Sequence, residues 1–487
     1  MFTGKEIGSV IRPLGIPLIG EGCAMLACLV PALYFSDGTA LPILVSGFVT
    51  LSVGILLSVL LPRWKGGNDS RLSYLTVCMI WLVLSMFAVL PFLTTGSCRS
   101  FTDAFFEAMS GLSSTGATVF DDIEALPPSV LLWRSMSEWI GGFGIILLVL
   151  AVVPSLGLNK YSLYTAEASS ADNTGKTTVG MSTMVQQTLT IYILLTVFYI
   201  VLLTMSGMTL WESVNLTFAN ISTGGFSIYG DSIARFTPAQ QYILASCMFM
   251  GGVNFALLYN FFTFRWSKIK HKLDQFGFYL ITVVVAVVFV VAVLHLHDGM
   301  RIEEAVRYGI VQTISVVTTT GSVVDDTNLW WTPIVFLFLI LSTCGGMAGS
   351  TTGGVKVMRV LILLRNVRNT LSNKLHPRAY NPVRLNGKPV SKDIITNVMV
   401  IFVVILTTMV IGVLLLLVCG VPATESLGAV FGCITSYGPG LGYCGGFGSY
   451  AAMPVAAKWL CSVLMLLGRL ECLTVFILFL PGFWRRK

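Results

Sequence analysis

Apolar residues fall in long, nearly continuous blocks along this chain, near residues 14–35, 41–61, 74–95, 131–153, 187–206, 241–263, 275–296, 332–344, 394–420 and 457–482. A hydrocarbon core of ~30 Å takes about 20 apolar residues per helix, and most of the blocks reach that length. None alternates with period two, so helices are expected rather than the strands of a barrel. The first block contains Pro13, Pro17 and Pro31 and is the least regular. The pattern predicts an all-α polytopic membrane protein.

Composition agrees. Of 487 residues, 55% are hydrophobic and only 11% charged, against roughly 25% charged in soluble proteins. So few charges cannot coat a soluble enzyme of this size, and the apolar excess excludes a disordered chain. Lys5 and Arg12 lead into spans that continue without a small-residue cleavage site, so no cleavable signal peptide is expected. The 11 cysteines show no C-x-x-C spacing, which argues against metal or disulfide roles.

Charge sorts by loop. Arg63–Arg71, Arg265–Lys272, Arg365–Lys392 and the tail Arg485-Arg486-Lys487 are basic, and the first 12 residues and the Lys160–Lys176 loop are assigned to the same side. The intervening loops carry Asp103, Glu107, Asp121, Asp122, Glu124, Glu212, Asp231, Glu303, Glu304, Asp325, Asp326 and Glu425. The positive-inside rule then places both termini in the cytoplasm and the acidic loops outside. Trp64, Trp266 and Trp484 fall near the inner interface, and Trp133, Trp211, Trp330 and Trp459 near the outer one. Topology accounts for the basic runs, and no nucleic acid partner is expected.

The four acidic-side loops repeat one pattern. They begin at Asp103, Glu212, Val306 and Glu425, each with about three turns of half-apolar helix too short to span. They end in Ser114-Thr115-Gly116, Ser222-Thr223-Gly224, Thr319-Thr320-Gly321 and Ser436-Tyr437-Gly438. In three of them a carboxylate (Asp103, Glu212, Glu425) stands 12 or 13 residues before that glycine. A span flanks each loop on either side. The unit is helix, re-entrant pore helix, extended loop, helix. Irregular backbone at membrane depth is tolerated where it lines a water-filled path. Glycine reaches the positive φ that lets successive carbonyls face one axis, and a ring of carbonyls can replace the hydration shell of a monovalent cation. Pore-helix C-termini add negative potential.

The chain divides accordingly into an N-terminal transmembrane hairpin (1–71) and four pore repeats (72–185, 186–272, 273–392 and 393–487). In the third repeat, the short apolar block 332–344 is followed by Gly345, Gly346, Met347, Ala348, Gly349, Ser350, Thr351, Thr352, Gly353 and Gly354. This is poor helix at membrane depth, and it reads as a mobile constriction crossing the ion path. Gly141-Gly142 and Gly251-Gly252 read instead as small-residue packing. Arg469 falls near the middle of the last apolar block, too deep to snorkel. Glu471, two positions on, faces elsewhere, so the carbonyls and hydroxyls of 345–354 are the acceptors expected for Arg469. Arg134 and Glu138, four apart, read as a helix-surface pair.

GLSSTGATVF, NISTGGFS, TTTGSVVDD and SYGPGLG, with GGMAGSTTGGVK and GRLE, resemble the Trk/Ktr/HKT superfamily of cation transporters. The likeness runs from about residue 72 to the end and is greatest to the TrkH-type branch, whose extra N-terminal hairpin the first two spans resemble. The resemblance implies filter glycines at Gly116, Gly224, Gly321 and Gly438, K⁺ as the transported ion, and no organic cofactor. Plant relatives with Ser at the first position favour Na⁺, so Gly116 implies K⁺. Ser322 stands where relatives often carry a bulkier residue. The resemblance also implies that Arg469 is a barrier below the filter, that the chain is a homodimer, and that a TrkA-like cytoplasmic nucleotide-binding subunit docks on it. The alternative within the superfamily is a Na⁺-permeable or Na⁺/K⁺-coupled transporter.

Other motifs carry less. Gly440–Gly445 fits G-x-G-x-x-G but follows no strand, and Gly349–Lys356 nearly imitates a P-loop but has Val355 at the lysine position. His271, His295, His297 and His376 have no metal-ligand spacing. The spans offer no nucleophile–base pair, so an enzyme is not expected.

Overall fold

The computed structural model describes residues 8, 10–60, 70–155, 177–265, 273–376 and 382–484. Segments 63–69, 160–176, 266–272 and 485–487 lie outside that set, and with them Trp64, Trp266 and His271. The described residues are mostly helical. The described strands are the short antiparallel pair β1 (Arg384–Leu385) and β2 (Lys388–Pro389).

The N-terminal hairpin consists of α1 (Gly15–Ala27), continued by α2 (Leu29–Tyr34), and α3 (Ala40–Leu60). Its helices meet closely because Gly22 faces the Leu51 backbone and Gly54 faces Ile19 with no side chain between. Repeat one comprises α4 (Ser70–Ala88), α5 (Leu90–Thr94), pore helix α6 (Phe101–Leu112) and α7 (Pro128–Ser155). Repeat two comprises α8 (Thr177–Met205), pore helix α9 (Leu210–Ile221), α10 (Pro238–Gly251) and α11 (Phe255–Phe262). Repeat three has α12 (Leu273–Leu296), pore helix α13 (Ile302–Val317), α14 (Thr332–Cys344) and α15 (Val357–Leu375). Repeat four has α16 (Lys392–Val418), pore helix α17 (Ala423–Ile434), α18 (Val455–Arg469) and α19 (Leu473–Phe476), followed by α20 (Pro481–Trp484).

Among the described residues, six helices are long and apolar enough to cross a membrane, or up to eight if each bent pair forms one span. The chain is a multi-pass membrane protein. Two apolar blocks that read as straight spans are bent. The 241–263 block turns by 106° between α10 and α11, where the Asn254 side chain accepts the Leu257 amide and starts a new helix. The last block turns by 105° between α18 and α19 because Glu471 and Cys472 take left-handed φ values of 58° and 53°. Arg469 therefore ends a helix at a corner instead of sitting in mid-span. One core cluster joins the hairpin to repeats one and four, and another joins repeats two and three.

Candidate functional site

The four pore helices end alike, with Ser113, Ser222, Thr318 and Thr435 as C-caps. Two residues later, the amides of Thr115, Gly224, Thr320 and Tyr437 donate to the carbonyls of Ser110, Ala219, Ser315 and Gly432, at 2.8–2.9 Å. Between cap and amide, Ser114, Thr223, Thr319 and Ser436 all have φ of 50–55°. One residue after the amide come the left-handed glycines Gly116, Gly225, Gly321 and Gly438, with φ of 80–90°.

These equivalences correct one position. Gly224 occupies the place of Thr115, Thr320 and Tyr437, and Gly225 is the partner of Gly116, Gly321 and Gly438. Ser222 belongs to the pore-helix cap. Taking the first glycine of Ser-Thr-Gly-Gly hid this register. With Gly225, the carboxylates Asp103, Glu212 and Glu425 each fall 13 residues before the glycine. That constant spacing was the available signal.

The loops close on one another in order. A methyl group on Gly116 would run into the carbonyl of Gly224, one on Gly225 into that of Thr320, one on Gly321 into that of Tyr437, and one on Gly438 into that of Thr115. Each glycine thus backs onto the carbonyl just before the next glycine, and the contacts return to the start. The four glycines line one cavity.

Buried polar groups brace this ring from behind. Glu107, in the middle of α6, accepts from the Val119 amide at 3.0 Å and from Arg134 Nε at 2.8 Å. Arg134 also donates to the Ser227 carbonyl at 2.9 Å and lies 4.1 Å from the Phe226 ring centroid, tying loop one to loop two. Glu138 accepts from the Phe226 amide at 3.1 Å. Arg134 and Glu138 are therefore not an exposed helix-surface pair. Both are buried, and Arg134 pairs with Glu107 in another helix. Behind loop three, Gln312 accepts from the Val324 amide at 3.3 Å and donates to the Tyr437 hydroxyl at 3.3 Å. Ser322 donates to Asn220 at 2.8 Å, which ties loop three to α9. Behind loop four, the Tyr450 hydroxyl donates to the Gly438 carbonyl at 2.8 Å. The sequence reading singled out none of these as ring supports. A carboxylate between Phe106 and Ala108, in the middle of a short helix at membrane depth, was the available signal.

At the N-terminus of α9, Thr209 and Glu212 form a reciprocal capping box. Partial burial raises the Glu212 carboxyl, but donors from Thr209 and Tyr229 outweigh it and leave it below the usual carboxylate range.

Residues 345–354 lie directly against the opposite face of the ring. Gly345, Gly349 and Gly354 have φ of 66°, 79° and 72°, which ends α14 and forces the chain across. The Thr223 hydroxyl donates to Thr351 at 3.2 Å, and Thr351 donates to the Ile221 and Gly251 carbonyls. The Gly353 amide donates to the Thr319 hydroxyl at 2.8 Å, and a side chain on Gly353 would strike Thr435 and Ser436. Gly346 donates to Thr352, which also exchanges a hydrogen bond with Ser350. Lys356 Nζ donates to the Thr352 carbonyl. On the side of repeat two, the Met347 amide donates to Gly252 and Asn254 donates to Ala348.

Arg469 is buried and donates to the Thr351 carbonyl at 2.9 Å, to the Ser114 hydroxyl at 3.1 Å and to the Gly141 carbonyl at 3.0 Å. The acceptor in 345–354 expected for it is Thr351. Glu471 pairs instead with Arg359 at 2.6 Å. All four left-handed hydroxyl residues of the ring therefore touch either this loop or Arg469. Gly141 and Gly251 pack against the carbonyls of Leu112 and Ile221, as small-residue contacts should, and Gly252 also lies at the α10–α11 bend.

The family model TrkH, described as cation transport protein, matches residues 42–485. The Trk system potassium uptake protein TrkH of Vibrio parahaemolyticus is 33% identical over 486 residues, covering 99% of this chain and 100% of the relative. The protein of the same name from Salmonella typhimurium is 31% identical over 482 residues, covering 98% and 99%. The crystal structure of the potassium transporter TrkH from Vibrio parahaemolyticus superposes with a TM-score of 0.89 at 30% identity, covering 98% of this chain and 100% of that one.

Proposed function

The chain belongs to the TrkH family of cation transport proteins, and on that premise we propose that it carries K⁺ into the cell across the bacterial inner membrane, with both termini cytoplasmic. The observation that supports this most is the closed ring of four loops, each set by the same pore-helix hydrogen bond and ending in a left-handed glycine. Carbonyls of Ser114, Thr115, Gly116, Thr223, Gly224, Gly225, Thr319, Thr320, Gly321, Ser436, Tyr437 and Gly438 are the ligands we assign to dehydrated K⁺. Residues 345–354 and Arg469 are the gate. The loop occludes the inner face of the ring, and the guanidinium repels a cation that has passed it. Residues 366–392 are the docking segment for a cytoplasmic nucleotide-binding subunit of a homodimeric transporter.

Growth rescue tests the reading. Bacteria lacking K⁺ uptake and expressing this chain with its cytoplasmic subunit are expected to grow at low K⁺. Gly116→Ser is expected to admit Na⁺ as a competitor of Rb⁺ uptake, because a side chain there displaces the Gly224 carbonyl. Equal competition by Na⁺ in the wild-type protein would reassign it as a Na⁺-permeable transporter.

A further inference from the structure

The cavity outside the ring is floored by Gly116, Gly225, Gly321 and Gly438, and its walls include two charged residues, Asp121 and Arg134. Arg134 is ion-paired with Glu107 and also binds the Ser227 carbonyl, so it adds little net charge to the cavity. The neighbouring outer carboxylates do not line this cavity. Glu124 and Asp231 both bind Arg235, Asp325 accepts the Trp330 indole, Asp326 caps the turn at Asn328, and Asp122 accepts the Ala125 amide. Among the described residues, this leaves Asp121 as the carboxylate on the cavity wall.

Asp121 is exposed, and its hydrogen-bond partner is the Ser449 hydroxyl of the repeat-four loop, a neutral donor that leaves the negative charge in place. That loop is itself fixed to the ring. The Tyr450 amide donates to the Thr118 carbonyl at 2.8 Å, and the Tyr450 hydroxyl donates to the Gly438 carbonyl. Asp121 is thereby held above the glycines by two of the four loops.

We propose that Asp121 is a cation-recruiting residue that concentrates K⁺ at the mouth before dehydration, and this rests on the K⁺-uptake reading. A cleft lined by one sign of charge raises the local counter-ion concentration and entry rate by about tenfold or more, and a single carboxylate by correspondingly less. Asp121 therefore acts on half-saturation and not on passage through the ring. Because the charge is exposed, salt screens it.

Radiolabelled Rb⁺ uptake into proteoliposomes holding the protein together with its cytoplasmic subunit tests this at about 0.01 M and about 1 M choline chloride, between which the Debye length falls from about 30 Å to about 3 Å. Asp121→Asn is expected to raise half-saturating Rb⁺ about threefold to tenfold at low salt, to leave the maximal rate unchanged, and to match wild type at high salt. Asp121→Cys provides charge rescue. An anionic methanethiosulfonate should restore half-saturation and a cationic one should raise it further, each read against wild type treated the same way because Cys444 lines the same cavity. Unchanged half-saturation at low salt, a defect that persists at high salt, or equal effects of the two reagents would overturn the proposal. If wild type takes up Rb⁺ in that result, the K⁺ reading stands. If wild type takes up none, both readings fall.

Discussion

Arg469→Ala asks whether a single guanidinium holds the gate shut. Its three hydrogen bonds reach the loop at Thr351, the ring at Ser114 and the wall at Gly141. Withdrawal of the loop must break at least the bond to Thr351. A hydrogen bond from a charged donor contributes ~1.5–3 kcal/mol, and each 1.4 kcal/mol is a factor of about ten. Removing the side chain should therefore move the closed–open balance tenfold to a hundredfold toward open. The loop keeps its bonds to Thr223, Thr319 and Gly252, so the gate should leak rather than vanish. Folding should survive, because loss of a cation whose insertion costs ~2.5–3.5 kcal/mol offsets the lost bonds. Arg469→Lys keeps the charge but not the planar fork and should fall between the two. Rb⁺ flux into proteoliposomes, measured per folded protein with Na⁺ as competitor, should rise with selectivity unchanged. A properly folded Ala variant that fluxes at the wild-type rate would refute the reasoning.

Three further substitutions probe the ring. Glu107→Gln leaves Arg134 buried without its anion, which costs about 3–5 kcal/mol; thermal unfolding in detergent should start markedly lower and Na⁺ competition should rise, and an unchanged melting profile would contradict the bracing role. Gly225→Ala puts a side chain at φ 90° against the Thr320 carbonyl; Rb⁺ uptake should be lost with the protein still in the membrane, and normal uptake would argue against the assigned register. Tyr450→Phe removes the donor to the Gly438 carbonyl, about 1 kcal/mol, and should weaken Na⁺ exclusion less than Glu107→Gln does, as read by competitive Rb⁺ uptake.

Helices, repeats and the break at 345–354 were legible because each has a periodic or compositional signature. Spans need length, pore helices recur at fixed places, and a run of glycines cannot stay helical. The acceptor for Arg469 was legible because a buried cation must find carbonyls. What escaped depended on long-range geometry. Choosing between Gly224 and Gly225 required knowing which amide bonds back to the pore helix. Arg134 and Glu138 satisfy the four-residue rule of a surface helix, yet tertiary packing buries both and gives Arg134 a partner 27 residues away. The corner after Arg469 turns on left-handed φ at Glu471 and Cys472, two residue types that give no local warning.

The mutual contact of the four loops has a mechanical consequence. The aperture behaves like a barrel of four staves, in which no stave can lean inward without displacing its neighbour. The staves differ, since an ion pair stiffens the first two while an amide and a phenol hold the others. Because all four are encoded once in a single chain, one quadrant can be retuned by a point change while three stay fixed. An assembly of identical subunits cannot make that adjustment.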